Sequence, residues 1–145
     1  MEPFFWKESY NTGIKQIDRD HRNIVEMANA LYNTIHSDNG GRNAILQNCQ
    51  KIVDFTEEHF SREEKYMEAS DFPGIEEHKI EHDRLKEEAR KLLLRFELDT
   101  PGSATGLYYV LRDMFIEHIP ELDRVFGEYY LSKAKKWKFS GSEED

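Results

Sequence analysis

Apolar residues return along this chain at alternating steps of three and four, with polar residues filling the positions between them. A helix of 3.6 residues per turn places such positions on one face, so the pattern predicts amphipathic helices with one buried stripe each. The first covers about residues 18–37, with Asp18 as its N-cap and His21, Ile24, Ala28, Leu31 and Ile35 on its stripe. Ser37-Asp38-Asn39-Gly40-Gly41 breaks the pattern as a loop. The second helix, about 42–69, carries Ile45, Cys49, Ile52, Thr56, His59, Glu63 and Tyr66 inward. After the turn signal Ser70-Asp71-Phe72-Pro73-Gly74, a third runs to about 98 with Ile75, His78, His82, Leu85, Ala89, Leu92 and Phe96. Thr100-Pro101-Gly102-Ser103 ends it, and either Thr100 or Ser103 caps the fourth, whose inward residues are Leu107, Leu111, Met114 and His118. Four such helices with short connections predict an all-α protein, an up-down-up-down antiparallel four-helix bundle. Ahead of it, residues 1–17 form an arm with Phe4, Phe5, Trp6 and Tyr10, bulky side chains expected to cover the mouth of the bundle.

Composition narrows the picture. The 145 residues are expected to form one domain, with the arm at 1–17, the bundle at about 18–131 and a tail at 132–145. That tail opens with the basic, aromatic run Lys133 to Phe139 and then turns acidic; its bland reading is a solvated helix end, and a protein partner for it is unknown. A net charge of −9 excludes non-specific nucleic-acid binding, which needs a basic face. No apolar run approaches the roughly 20 residues that cross a bilayer, so no membrane span is expected. The first residues lack a basic region followed by an apolar one, so no secretion signal is expected either. The single cysteine, Cys49, allows no internal disulfide and suits a reducing compartment, which points to the cytoplasm.

The histidines carry the chemistry. Five of the six (His21, His59, His78, His82 and His118) share the phase of the apolar stripes, and only His36 falls beside its stripe. One inward histidine is ordinarily a hydrogen-bonded core residue. Five on four helices, joined by Glu63, are another matter. Each buried polar group left unpaired costs on the order of 1–3 kcal/mol, against a typical total stability of about 5–15 kcal/mol. A metal satisfies them directly. Asp123 stands five residues beyond His118, roughly 140° round a regular helix. Spacing leaves two readings open there: an exposed aspartate, or a distortion at Pro120 that turns Asp123 back toward the site. Five histidines with two carboxylates exceed one tetrahedral zinc and suit iron better than calcium. If Glu63 and Asp123 each bridge two irons together with a solvent-derived oxygen, the histidines divide three and two. One position then stays open for a small diatomic ligand. The carboxylate-rich class of four-helix di-iron proteins uses Glu-x-x-His, which occurs nowhere in this chain.

Over about residues 4–131 the chain resembles the hemerythrins, most closely the bacterial single-domain type. The matching residues are Trp6, Gly13-Ile14, Ile17-Asp18-Arg19-Asp20-His21, His59-Phe60-x-x-Glu63-Glu64, His78-x-x-x-His82, and His118-Ile119 followed by Asp123. The resemblance implies a di-iron centre with a bridging oxo or hydroxo group. It implies that His78, His82 and His118 bind the six-coordinate iron, His21 and His59 the iron that takes oxygen, and that Glu63 and Asp123 bridge. One departure stands out: where the family commonly has tryptophan, four residues before the fourth-helix histidine, this chain has Met114. Ile24, Phe60, Met114 and Phe115 are candidate ligand-pocket residues, each equally readable as ordinary core. The expected function is reversible dioxygen binding for storage, delivery or buffering, rather than enzymatic turnover. The alternatives are sensing of oxygen or nitric oxide through a partner, and reduction of peroxide or nitric oxide. The latter needs an acid or thiol relay, and Cys49 reads as core rather than redox-active.

Overall fold

The structure, a computed structural model, describes residues 5–37, 41–99 and 101–139, apart from the side chains of 115, 116 and 136–139. Helix α1 spans Lys15–Ile35, α2 Arg42–Ala69, α3 Ile75–Glu97 and α4 Ser103–Asp113. The last column of the bundle continues without a break through a π-helical segment, Met114–Asp123, into α5, Arg124–Phe139. Each helix packs on its neighbours in chain order, and α4 closes the ring against α1. The result is the antiparallel four-helix bundle that the spacing predicts. Among the described residues no helix is long and apolar enough to cross a membrane.

The boundaries differ from expectation at three places. Helix α1 begins at Lys15, not beyond Asp18, and its N-cap is Ile14 with no side-chain cap. Asp18 instead reaches back into the arm: its carboxylate accepts the Thr12 N–H at 2.7 Å, the Thr12 hydroxyl at 2.8 Å and the Gly13 N–H at 3.1 Å. Those upstream donors are set up by Gly13, whose φ of +89° turns the chain there. Ser103 does not cap α4; it is the first helical residue, behind an N-cap at Gly102 with φ +79° and no side-chain bond. Thr100, the other capping candidate, lies outside the described residues. Finally, α5 runs past the bundle end expected near 131 and stays helical to Phe139. Lys133 there is not simply solvated, since its ammonium donates to the Ser70 carbonyl at 2.6 Å. Beside it the Tyr129 hydroxyl donates to the same oxygen at 2.7 Å, so α5 clamps the α2–α3 turn. The side chains of Trp137 and Phe139, like residues 140–145, lie outside the described residues.

The inward stripes separate into two apolar clusters. One holds Ile24, Leu31, Ile52, Phe60, Leu85, Leu107, Leu111, Met114 and Ile119 among others. The second holds Ile14, Ile17, Met67, Phe126 and Tyr130. The stripe histidines and acids lie at or next to the boundary between these two groups: Ile17 and Ile24 flank His21, and Phe60 and Met67 flank Glu63. The polar layer is thus sealed above and below by hydrocarbon.

The arm closes one side. A short 3₁₀ turn at Glu8–Tyr10 lies against the π-helical segment. Trp6 and Tyr10 pack on the larger cluster and meet edge to face at 5.4 Å, with the Arg22 guanidinium 4.6 Å over the Trp6 ring. Phe5, expected to cover the bundle too, is 73% exposed. Phe4 lies outside the described residues. The arm sits close on α5: a Cβ at Gly127 would stand 2.3 Å from the Thr12 carbonyl oxygen. Gly127→Ala should therefore push the arm off its seat and cost about 1–3 kcal/mol, the usual scale of overpacking. Chemical unfolding with limited proteolysis checks this; an unchanged midpoint and an intact arm would contradict it.

Candidate metal centre

His21 comes from α1, His59 and Glu63 from α2, His78 and His82 from α3, and His118 and Asp123 from the π-helical segment. Each pair on α2 and α3 is four residues apart and so shares a helix face. His118 and Asp123, five apart, share one because the segment between them is π-helical, with i→i+5 bonding in place of i→i+4. Pro120, which lacks an amide donor, lies inside that segment. The distortion that spacing left open is therefore present, and it brings Asp123 Oδ1 to 3.0 Å from His118 Nε2.

All seven side chains are at most 4% exposed. Their atoms fall into two overlapping groups, either of which could hold a metal ion. One comprises Glu63, His78, His82, His118 and Asp123; the other comprises His21, His59, Glu63 and Asp123. The carboxylates divide their oxygens between the groups. Glu63 Oε1 lies 3.0 Å from both His78 Nε2 and His82 Nε2, while Oε2 faces His59 at 3.7 Å and His21 at 3.9 Å. Asp123 Oδ1 lies 2.8 Å from His78 and 3.0 Å from His118, while Oδ2 lies 3.1 Å from His21.

These separations are short, yet the Nε2 atoms of His78, His82 and His118 and all four carboxylate oxygens make no properly directed hydrogen bond. They converge without pairing, which is how ligands surround a cation. Without one, protons must serve. Burial lowers the His78 pKa, but the Asp123 and Glu63 carboxylates beside it win and push it up to about 10. Burial and the Asp123 charge raise Glu63, but the short approaches of His78 and His82 hold it at about 2. Burial lowers His21 too, and Asp123 outweighs it. His59, dominated by burial, is lowered; its Nε2 lies 3.1 Å from His21 Nε2. A neutral-imidazole and carboxylate set of this kind suits iron, and the residues fit the group that the spacing suggests.

Three residues without an assigned role in the sequence reading complete the site. Asp20 Oδ2 accepts the His59 Nδ1–H at 3.0 Å, and Glu64 Oε2 accepts the His82 Nδ1–H at 2.8 Å. Arg62 holds Asp20 through two bonds of 2.8 and 3.1 Å. Burial raises Asp20, but the hydrogen bonds from His59 and Arg62 outweigh it and hold the carboxyl at about 2. An ionised acceptor on Nδ1 leaves Nε2 as the bare lone pair, the tautomer a metal needs. The available signal was adjacency: Asp20 precedes His21 and Glu64 follows Glu63, so each sits about 100° round its helix, facing the neighbouring helix.

Of the pocket candidates, Ile24, Phe60 and Met114 are fully buried in the larger apolar cluster. Phe60 stacks on His82 with 4.0 Å between centroids and 13° between planes. The Phe115 side chain lies outside the described residues. His36 is exposed at the end of α1, with its ring 4.6 Å from that of Tyr32.

Fold and site together define a class: a four-helix bundle that gathers histidines from every column around two shared carboxylates. The chain belongs to the hemerythrin family, since the family model described as "Hemerythrin HHE cation binding domain" matches residues 12–130. Among relatives, the bacteriohemerythrin of Stenotrophomonas maltophilia is 34% identical over 128 residues, covering 88% of this chain and 82% of that protein. The bacteriohemerythrin of Methylococcus capsulatus is 27% identical over 118 residues, covering 81% of this chain and 88% of that one. A crystal structure of wild-type hemerythrin superposes with a TM-score of 0.80 at 25% identity, covering 89% of this chain and 98% of the other.

Cys49 is buried, and burial pushes its thiol up to about 11. It should therefore resist a disulfide reagent at pH 8 until the protein unfolds. A rapid full equivalent of reaction with the folded protein would contradict this.

Proposed function

We propose that this protein binds dioxygen reversibly at a non-haem di-iron centre, and that it carries or buffers oxygen rather than turning over a substrate. The observation that supports this most is the division of the oxygens of Glu63 and Asp123 between two ligand groups, three histidines on one side and two on the other. In this reading His78, His82 and His118 hold one iron, His21 and His59 hold the second, and Glu63 and Asp123 bridge. The two-histidine side then has fewer protein ligands, which leaves room for a diatomic ligand there. When bound, the iron pair supplies the two electrons that oxygen takes up and returns.

The chain's own residues perform the rest. In this reading Ile24, Phe60 and Met114, all buried in the larger apolar cluster, would keep water from the bound ligand, and a water-poor surrounding slows loss of the oxygenated form by protons and anions. Met114 is more flexible than an indole at that position, so this surrounding is softer than one built on tryptophan. Asp20 and Glu64 keep the His59 and His82 rings in the metal-binding tautomer. Membership in the hemerythrin family supports the same function. Against peroxide or nitric oxide reduction stands the lack of a ready thiol, since Cys49 is buried and its thiol is held neutral. One buried cysteine also accords with a reducing cytoplasm.

The test is to load the protein with iron, reduce it without air, admit oxygen and then remove it while recording the visible spectrum. A band that appears and disappears over repeated cycles is expected. A single irreversible passage to the oxidised form would move the reductase reading ahead. His59→Ala should abolish the band while leaving helix content largely intact, and full oxygen binding in that variant would overturn the assignment.

A further inference from the structure

Two histidines of the cluster, one in each ligand group, donate their Nδ1–H to a carboxylate, and the carboxylates differ in what stands behind them. Glu64 is 21% exposed, and His82 is its only ion-pair partner among the described residues. Asp20 is 2% exposed and crowded with donors. Its Oδ2 accepts from His59 at 3.0 Å and from Arg62 Nε at 2.8 Å, and its Oδ1 accepts from Arg62 Nη2 at 3.1 Å and Gln16 Nε2 at 3.2 Å. The Arg62 guanidinium spans from this buried acid to the surface, one third exposed, with its carbon 5.4 Å over the Phe55 ring and Glu58 at 3.9 Å.

A carboxylate gripped by a guanidinium through two bonds shares its lone pairs and has its charge neutralised. It draws on an imidazole proton less than a free carboxylate does, and the imidazole is then a weaker donor at its other nitrogen. We propose that Arg62 is a positioning residue that acts through Asp20 to keep His59 a modest electron donor, so that the iron on the His21 and His59 side is held in its ferrous, oxygen-binding state. Glu64, with no guanidinium paired to it, makes His82 the stronger donor, which adds to the inequality that the three-and-two division of the histidines already sets. The inference rests on the proposed function, in which His59 serves the oxygen-binding iron.

The test is a potentiometric titration of the iron-loaded protein, wild type against Arg62→Met, Arg62→Gln and Arg62→Lys, with Arg62→Met repeated in an Asp20→Asn background. Circular dichroism selects the variants that keep their helices. Losing the charge, in either Met or Gln, should shift the ferric-to-ferrous ratio about tenfold toward ferric at fixed poise, a fall of 59 mV for one electron. Lysine should restore most of the wild-type value. In the Asp20→Asn background the shift should vanish. An independent readout uses the zinc-loaded, redox-silent protein, where the His59 Nδ1–H resonance should move downfield in Arg62→Met as its bond to Asp20 strengthens. A folded variant with a wild-type potential and an unmoved resonance would overturn the proposal, as would an equal shift with and without Asp20. Wild-type protein that takes up no iron would sink the proposed function instead, so the two failures are distinguishable.

Discussion

Two carboxylates, Glu63 and Asp123, lie fully buried in the middle of a helical bundle with no lysine or arginine paired to them among the described residues. An unpaired carboxylate in such surroundings costs several kcal/mol, a large part of what a domain of this size has to spare. Only the five histidines face them, and a neutral histidine offers a hydrogen bond but no compensating charge. The structure depends on positive charge arriving at that point, as protons or as metal. That requirement explains why every column of the bundle contributes at least one ligand, and why the ligands form one layer between two hydrocarbon clusters rather than lying at a surface.

Regular helix geometry supplies most of this layer at no local cost, because ligands four apart on α2 and α3 fall on one face. The fourth column cannot follow that rule. Its two ligands are five apart, and the backbone accommodates them with a ten-residue π-helical stretch that contains Pro120. Such a stretch is rare and is frequently found at functional sites. The arm packs its 3₁₀ turn against this same stretch, so the least regular part of the bundle is also a covered part. Outside the layer, Asp20 with Arg62 and Glu64 orient two of the rings, and they connect the buried centre to groups at the surface.

Much of this was legible in the sequence, for identifiable reasons. Alternating steps of three and four revealed the helices, and the same steps put five histidines and Glu63 in phase with the buried stripes. Asp123 was ambiguous because its spacing is wrong for an α-helix. Only the resemblance to the hemerythrins, or the π-helical backbone itself, resolves it. Helix starts differ from the periodicity where a capping-type residue is already inside its helix: Asp18 bonds back to the arm, and Ser103 follows an N-cap at Gly102. The roles of Asp20, Arg62 and Glu64 escaped because they depend on contacts between helices, which periodicity along one helix does not encode. Phe5 is exposed against expectation for a related reason, since an aromatic residue in an irregular arm carries no phase to say which way it points.

We propose that the seven converging residues form one centre for two metal ions whose charge balances the two buried carboxylates. The most direct test is an anaerobic calorimetric titration of ferrous iron into the iron-free protein, followed by thermal unfolding of both forms. Two equivalents should bind per chain, with a clear rise in melting temperature on loading, because binding confined to the folded state stabilises it. Uptake of one equivalent or none, or an unchanged melting temperature, would contradict it.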